Sequence, residues 1–145
     1  MNQINFNDIP SELRKLPQWC LWKFETVNGR KTKVPYQFDG AAVRTNDRRT
    51  YSTFSTVKKY YLEGGFDGIG FIFTRQDKYV GIDIDKCIVD GVMSDFAKDI
   101  IDRLDSYCEY SVSGTGVHII IEGSLQEDVV GSGRKSTKHN LEIYR

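Results

Sequence analysis

Asp83 and Asp85 are the residues of this sequence whose type and spacing most clearly suggest chemistry. They alternate with apolar residues in the run Val80-Gly81-Ile82-Asp83-Ile84-Asp85, and such alternation predicts a β-strand with one buried face. Residues two apart on a strand point the same way, about 6.6 Å apart along the chain. Two carboxylates this close repel each other, and a divalent cation commonly compensates. The pair therefore predicts a Mg²⁺ or Mn²⁺ site; the alternative is that Asp85 ends the strand and Asp83 is solvated.

A glycine-rich segment, Ser113-Gly114-Thr115-Gly116-Val117-His118, is the second candidate. Its glycines allow the backbone to approach a ligand, and small hydroxyl residues with exposed N–H groups form an anion nest suited to phosphate. His118 would stand at the start of a strand. The alternative interpretation is a plain hairpin turn with a hydrogen-bonded histidine.

Glu142 is the third candidate, an isolated acid between apolar neighbours on a short predicted strand. The same pattern is typical of a residue on the solvent face of a strand. The segment before it predicts a flexible cationic loop that could reach a triphosphate; its cations are Arg134, Lys135 and Lys138.

The first half of the chain predicts the following elements. Residues 8–17 form a short helix that Pro17 stops, and residues 18–25 and 30–36 form a hairpin around Asn28-Gly29. Lys31 and Lys33 would share one face of its second strand. Residues 38–51, which include Arg44, Arg48 and Arg49, form a surface loop with one helical turn, and a helix follows that ends at Gly64-Gly65.

The second half predicts the elements that would position the candidate residues. Residues 68–73 and 79–85 are two strands joined by a polar turn, and Ser94 caps a helix that continues to Leu104. Its buried stripe would be Phe96, Ile100, Ile101 and Leu104. Residues 107–112 and 117–122 form an antiparallel pair, a polar stretch covers 123–140, and 141–144 form a closing strand.

These elements predict an α+β fold. Two hairpins with a helix between them, built on a split arrangement of strands, suggest a ferredoxin-like or RNA-recognition-motif-like sheet with the N-terminal hairpin and helix as an added layer. A chain of 145 residues is about one domain. We expect residues 1–66 to form a basic N-terminal layer of that domain and residues 67–145 its metal- and nucleotide-binding sheet.

Charge is distributed unevenly along the chain although its formal net value is zero. Residues 1–62 carry 11 Lys and Arg against 5 Asp and Glu, a balance of +6, and residues 63–145 carry 9 against 15, a balance of −6. The first part has the electrostatics of a polyanion binder and the second those of a carboxylate metal site, although most charge runs are simply solvated faces.

The three cysteines, Cys20, Cys87 and Cys108, are odd in number and widely spaced, which favours reduced thiols in or near the core over a disulfide framework or zinc site. No apolar run approaches the length of about 20 residues that spans a membrane, and the N-terminus lacks a signal-peptide pattern. The sequence therefore predicts a cytoplasmic protein without a membrane partner.

Taken together, the motifs resemble the archaeo-eukaryotic primase superfamily, and more closely the bifunctional primase-polymerase (prim-pol) domains of phage, plasmid and other mobile-element replication proteins. The resemblance covers nearly the whole chain. Relatives continue beyond its last motif with a further catalytic segment and often a helicase, so we expect this chain to be the N-terminal piece of a longer replication protein. The motifs, in order, are Leu16-Pro17-Gln18-Trp19 with Leu21-Trp22, Lys31-Thr32-Lys33-Val34-Pro35-Tyr36, Tyr51-Ser52-Thr53-Phe54, Gly68-Ile69-Gly70-Phe71-Ile72-Phe73, Gly81-Ile82-Asp83-Ile84-Asp85, Ser113-Gly114-Thr115-Gly116-Val117-His118 and Glu142-Ile143-Tyr144.

The resemblance implies a fold of the archaeo-eukaryotic primase type and a DNA primase or DNA polymerase that acts on a single-stranded DNA template by a two-metal mechanism. Asp83, Asp85 and Glu142 would then be the catalytic acids that hold two Mg²⁺ or Mn²⁺ ions. His118 would be a further catalytic residue and, with the loop of Ser113, Gly114, Thr115 and Gly116, would bind the nucleoside triphosphate. Arg134, Lys135 and Lys138 would hold its phosphates, while Lys31, Lys33, Arg44, Arg48 and Arg49 would follow the template. A replicative helicase is the expected protein partner.

Three other functions remain open at this point. A nicking endonuclease of the replication-initiator type uses a related sheet, but it usually needs two histidines one residue apart and a nucleophilic tyrosine, and His118 and His139 are 21 residues apart. A D-x-D glycosyltransferase would leave the basic N-terminal half unexplained. A catalytically inactive module that binds single-stranded DNA or an origin is the alternative from another class.

Overall fold

The structure, a computed structural model, describes residues 3–124 and 133–145, with the backbone alone at residues 133 and 134. The chain divides into two units, Ile4–Ile72 and Phe73–Arg145. The expected division between residues 66 and 67 thus falls before the observed one. The reason is that the strand Gly68–Phe71, which we expected in the second sheet, pairs with an N-terminal strand.

The first unit is built on a three-stranded antiparallel sheet in the order β2-β1-β3. Asn28 and Gly29, with φ values of 49° and 75°, form the two-residue turn of the predicted hairpin, because a type I′ turn needs positive φ at both positions. The elements of this unit are α1 (Ser11–Arg14), β1 (Trp19–Val27), β2 (Arg30–Tyr36), α2 (Phe54–Glu63) and β3 (Gly68–Phe71), with 3₁₀ turns at Phe6–Asp8 and Arg48–Thr50.

Pairing of β3 with β1 corrects the prediction that residues 68–73 and 79–85 form a hairpin. The Trp22 side chain on β1 lies over Gly68, where a Cβ atom would collide with the indole ring. Its Nε1 donates a hydrogen bond to the carbonyl of Ile69 at 3.0 Å. Trp19 packs edge-on against Phe54 of α2 on the other side of β1. Contacts with residues far along the chain therefore place β3 in this sheet.

The second unit is built on a five-stranded antiparallel sheet in the order β7-β8-β4-β10-β9, with β4 at its centre. A separate two-stranded hairpin, β5 and β6, turns at Asp90 and Gly91, where a turn is predicted. The elements are β4 (Tyr79–Ile84), β5 (Ile88–Val89), β6 (Val92–Met93), α3 (Asp95–Leu104), β7 (Tyr107–Tyr110), β8 (Val117–Glu122), β9 (Gly133–Ser136) and β10 (Leu141–Tyr144).

Helix α3 covers one face of this sheet. Ser94 caps it as predicted, because its side chain accepts a hydrogen bond from the N–H of Ala97 at 3.2 Å. Ala97 is fully buried, whereas Phe96 is 36% exposed and was wrongly placed in the buried stripe. The other three predicted stripe residues pack against the apolar cluster of the sheet; they are Ile100, Ile101 and Leu104.

The connection β4-α3-β7 is a split β-α-β unit. Both β4 and β7 run antiparallel to β8, which lies between them, so β4 and β7 are parallel to each other. This arrangement confirms an α+β fold with antiparallel pairing and is compatible with a ferredoxin-like sheet. The ferredoxin-like and archaeo-eukaryotic primase types stay predictions, because the described residues after Glu122 contain no second helix.

The thiols of Cys20, Cys87 and Cys108 are free, and the first two are buried. Burial raises the pKa of the Cys20 thiol to about 11, as expected for a core residue without a charged partner. Among the described helices, none is both long enough and apolar enough to cross a membrane.

Candidate active site

A single row of side chains crosses the five-stranded sheet. Asp83 on β4 pairs directly with His118 on β8 and with Glu142 on β10. One strand further out, His118 pairs with Glu109 on β7 and Glu142 pairs with Lys135 on β9. Directly paired residues of antiparallel strands present their side chains on one face. This row lies on the face opposite the apolar cluster beneath α3, and it brings four predicted site residues from separate strands together, namely Asp83, His118, Glu142 and Lys135.

The Asp83 carboxylate stands in the middle of this row and is 26% exposed. The hydroxyl of Tyr144 donates a hydrogen bond to its Oδ1 at 2.9 Å. The Tyr144 ring lies across Gly81, where a Cβ atom would collide with it. Burial, with a further contribution from Asp83, raises the pKa of Tyr144, so its hydroxyl remains a donor at neutral and alkaline pH. Tyr144 thus fixes one oxygen of the central carboxylate.

His118 lies between two carboxylates. Its Nε2 is 3.8 Å from Asp83 Oδ1, and its Nδ1 is 3.3 Å from Glu109 Oε1. The other Glu109 oxygen accepts a hydrogen bond from the hydroxyl of Tyr107 at 2.7 Å. An imidazole held in this way can donate a proton or contact an anionic oxygen at a defined position in the row.

Glu142 and Asp85 complete the set of predicted acids. Glu142 is partly buried, and among the described residues its carboxylate forms no hydrogen bond or ion pair. Asp85 follows the end of β4, is exposed, and donates its backbone N–H to the carbonyl of Asn140 at 2.9 Å. Glu142 shares a face of the sheet with Asp83 because the two residues pair directly, whereas Asp85 lies in the turn after β4, where strand alternation no longer sets the direction of its side chain.

The oxygen donors of Asp83, Glu142 and Asp85 fit Mg²⁺ or Mn²⁺ in their chemistry. Within residues 3–124 and 133–145, however, no three Asp, Glu, His or Cys side chains converge as a ready ligand set. At the centre of the row, the Asp83 carboxylate contacts the Tyr144 hydroxyl and faces His118.

The loop of residues 113–116 differs from the predicted anion nest. Three of its N–H groups form hydrogen bonds within residues 111–116: Gly114 donates to the carbonyl of Ser111, Thr115 to the hydroxyl of Ser113, and Gly116 to the hydroxyl of Ser111. The hydroxyls of Ser113 and Thr115 are exposed and 2.8 Å apart. A phosphate would therefore meet hydroxyl groups here rather than a ring of open amides.

Gly116 explains why this loop lies beside the acids. A Cβ atom at Gly116 would come within 2.8 Å of the Ile84 carbonyl and 3.3 Å of the Asp85 Cα. A side chain at this position would push the loop away from the end of β4. The glycine therefore allows the close approach of this loop to the end of β4, and its contact with a nucleotide stays a prediction.

The predicted flexible cationic loop is partly a strand. Arg134 and Lys135 lie on β9, in register with Ile143 and Glu142, while Lys138 lies in the turn before β10 and is exposed. The remaining part of the predicted 123–140 stretch, residues 125–132, lies outside the described residues. Lys135 is therefore held next to Glu142 by strand pairing.

The predicted template-binding cations lie on two segments of the first unit. Lys31 and Lys33 are exposed on β2, with their ammonium groups 4.3 Å and 4.6 Å from the ring centroids of Phe24 and Trp22. Arg49, in the other segment with Arg44 and Arg48, forms two hydrogen bonds with Asp47 at 2.9 and 2.8 Å. The hydrogen bonds from Arg49 lower the pKa of Asp47 to about 2.

Sequence reasoning missed Glu109, Tyr107 and Tyr144 as parts of the site. A signal for Glu109 was present, because residues 109 and 118 lie at equal distances from the centre of the 113–114 turn and must face each other in a regular hairpin. Tyr144 gave no comparable signal, since its contact with Asp83 depends on the pairing of β10 with β4.

The fold and the site define an α+β protein with a carboxylate and histidine site on an open face of an antiparallel sheet. No family model matches the chain. Among curated proteins, the chain is similar to the DNA primase-polymerase of Nitratiruptor phage NrS-1, with 28% identity over 135 residues, or 91% of this chain. The chain spans 18% of that relative's length. The similarity supports the primase-polymerase resemblance at the level of the family.

Proposed function

We propose that this chain carries the nucleotidyltransferase site of a DNA primase-polymerase that synthesises primers or extends DNA on a single-stranded template. The observation that carries the proposal is the cross-sheet row in which Asp83 stands between His118 and Glu142. The similarity to a phage DNA primase-polymerase over most of this chain supports the same reaction.

The proposed reaction joins a 3′-hydroxyl, or the hydroxyl of an initiating nucleotide, to the α-phosphate of an incoming nucleoside triphosphate. The hydroxyl loses its proton, the new P–O bond forms, and the bond to the β-phosphate breaks to release pyrophosphate. Asp83, Asp85 and Glu142 would hold two Mg²⁺ or Mn²⁺ ions, which when bound activate the hydroxyl and stabilise the leaving pyrophosphate. Catalysis of this kind depends mainly on positioning and electrostatics.

The remaining residues of the row would bind and orient the triphosphate. His118 would contact a phosphate oxygen, and Lys135, fixed next to Glu142, would neutralise charge at the other side of Asp83. The exposed hydroxyls of Ser113 and Thr115 would contact phosphates near Asp85. Arg134 and Lys138 complete this proposed cationic group.

We further propose replication of a mobile element as the setting, with a replicative helicase as partner, because the similar protein belongs to a phage. The alternative function, a catalytically inactive module that binds single-stranded DNA or an origin, is favoured by one observation: the described acids do not form a ready three-ligand set.

A primer-synthesis assay separates these two functions. The chain would be incubated with circular single-stranded DNA, labelled nucleoside triphosphates and Mg²⁺ or Mn²⁺, and products would be resolved by length. Template-dependent products that disappear with EDTA support the enzyme. DNA binding without any product in either metal contradicts the proposal and supports the inactive module.

Template binding by the first unit gives a prediction of its own. Replacing Arg44, Arg48 and Arg49 together with Gln should weaken single-stranded DNA binding and reduce the slope of log K against log salt concentration by about 0.7 per lost phosphate contact. Because Arg49 pairs with Asp47, we expect a total reduction smaller than the value for three phosphate contacts. Fluorescence anisotropy at several salt concentrations measures the slope.

A matched control replaces Lys98 and Arg103 of α3, two exposed cations of the second unit, with Gln. If the first unit binds the template, loss of these two cations should leave the slope of log K against log salt concentration nearly unchanged. An equal reduction in both variants would mean that binding follows overall charge and not these arginines.

A further inference from the structure

Glu109 is a carboxylate of the cross-sheet row to which neither the sequence motifs nor the similarity to the phage protein gives a role. It lies on the edge strand β7, directly opposite His118, and its Oε1 is 3.3 Å from His118 Nδ1. An ionised carboxylate can only accept hydrogen bonds, so the Nδ1–H group of His118 is the donor. The pairing register of β7 and β8 fixes this pair, because a shift of one residue would place the Glu109 side chain on the other face of the sheet.

The Glu109 side chain is itself held in place. Its Oε2 accepts the hydroxyl of Tyr107 at 2.7 Å, and Tyr107 lies two residues earlier on the same face of β7. The two oxygens thus have separate partners, one on its own strand and one on the neighbouring strand. Such a carboxylate has one favoured orientation, although 47% of the side chain is exposed.

The consequence for His118 is a fixed ring orientation. With Nδ1 directed at Glu109, Nε2 is directed towards Asp83, at 3.8 Å from Oδ1. The proposed triphosphate would lie next to Asp83, and therefore near Nε2. A histidine that is already oriented loses less conformational freedom when it contacts a ligand, which favours binding.

We propose that Glu109 is a positioning residue for nucleotide binding, which holds His118 through Nδ1 so that the Nε2–H group of the doubly protonated ring donates to a phosphate oxygen of the nucleoside triphosphate. Tyr107 supports it by orienting the carboxylate. This inference rests on the proposed function and deepens it, since it adds two residues to the binding machinery. The competing explanation is that Glu109 is one of the charged residues that commonly protect an edge strand from pairing with other chains.

A double-mutant cycle tests the coupling between Glu109 and His118. Binding of a fluorescent deoxynucleoside triphosphate with Mg²⁺, in the absence of template, would be measured for the wild-type chain, Glu109→Gln, His118→Ala and the double variant. We expect Glu109→Gln to weaken binding about tenfold and the double variant to bind no more weakly than His118→Ala, because Glu109 acts through His118. In primer extension, KM for the nucleotide should rise more than kcat falls.

Glu122→Gln is the matched control. Glu122 lies on β8 on the same face as His118 and pairs with Lys78 at the far end of the strand, so its loss should leave nucleotide binding unchanged. Thermal unfolding checks that all variants fold. Tyr107→Phe, which removes a single hydroxyl, is a second and milder variant. We expect it to weaken nucleotide binding less than Glu109→Gln does, and to have no effect when it is combined with His118→Ala.

Two results would overturn the positioning role. The first is wild-type binding by Glu109→Gln; the second is an additive loss in the double variant, which would show that Glu109 acts independently of His118. A wild-type chain that binds no triphosphate contradicts the proposed function instead, and the positioning role falls with it. Binding that weakens in His118→Ala but not in Glu109→Gln overturns the inference alone.

Discussion

Asp83→Asn should reduce the rate of nucleotidyl transfer by about a thousandfold or more at saturating nucleotide. The substitution removes the negative charge at the centre of the row while keeping the shape of the side chain. An asparagine oxygen can still accept the hydroxyl of Tyr144, so the fold should remain intact. Single-turnover primer extension measures the rate, and thermal unfolding checks the fold. Because the chemical step is affected, a higher nucleotide concentration should not restore activity.

Asp99→Asn is the control for this prediction. Asp99 is an exposed carboxylate of α3 that pairs with Arg103 at 3.0 Å, and exposed pairs of this kind contribute little to stability. Its activity should stay within about twofold of the wild type, in line with the small effects of most surface substitutions. An Asp83→Asn variant that retains a tenth or more of the wild-type rate would remove Asp83 from the catalytic machinery.

Glu142→Gln should also abolish turnover in Mg²⁺, and its defect should ease in Mn²⁺, which tolerates poorer ligand sets. The variant has a second expected effect that needs no catalysis. Like charges directly opposite each other on paired strands are destabilising, by about 0.2–1 kcal/mol. In EDTA, removal of the Glu142 charge next to Asp83 should therefore raise thermal stability slightly.

Addition of Mg²⁺ should make the wild type more thermally stable than Glu142→Gln, because the ion would stabilise the wild-type pair of carboxylates more than the variant. Thermal unfolding in EDTA and in Mg²⁺ gives the comparison, with Glu122→Gln as a control acid on the neighbouring strand β8. A Glu142→Gln variant with near-normal activity in Mg²⁺, or with the same Mg²⁺ stabilisation as the wild type, would reduce the proposed metal ligands to Asp83 and Asp85.

Local patterns in the sequence predicted most elements of the second unit. The alternation around Asp83 identified β4, and Ser94 and the apolar spacing after it identified α3. Both depend on interactions within a few residues, such as the cap at Ala97. The turn of residues 113–116 likewise identified the β7-β8 hairpin, because two strands joined by so short a loop can hardly avoid pairing.

The pairing of strands that are far apart in the sequence could not be predicted in the same way. Residues 68–71 have the apolar character of a strand whichever sheet they join, and it is Trp22, over forty positions earlier, that determines their place through Gly68. Strand β9 was missed because its four residues, Gly133–Ser136, have no apolar alternation and depend on β10 for their hydrogen bonds. The hydrogen bonds inside the 113–116 loop were not predicted either, because they depend on the orientation of the Ser111 and Ser113 hydroxyls, and phosphate binding by this loop stays a prediction.

The pairing of β4, β8 and β10 has a consequence for how this protein can vary in length. Each strand contributes one member of the row, so an inserted or deleted residue within β10 would turn Glu142 towards the helix-covered face and expose Leu141 or Ile143. The same holds for β8, where an inserted or deleted residue would turn His118 towards the face under α3. Natural variants of this sequence should therefore keep the lengths of β4, β8 and β10 to the residue.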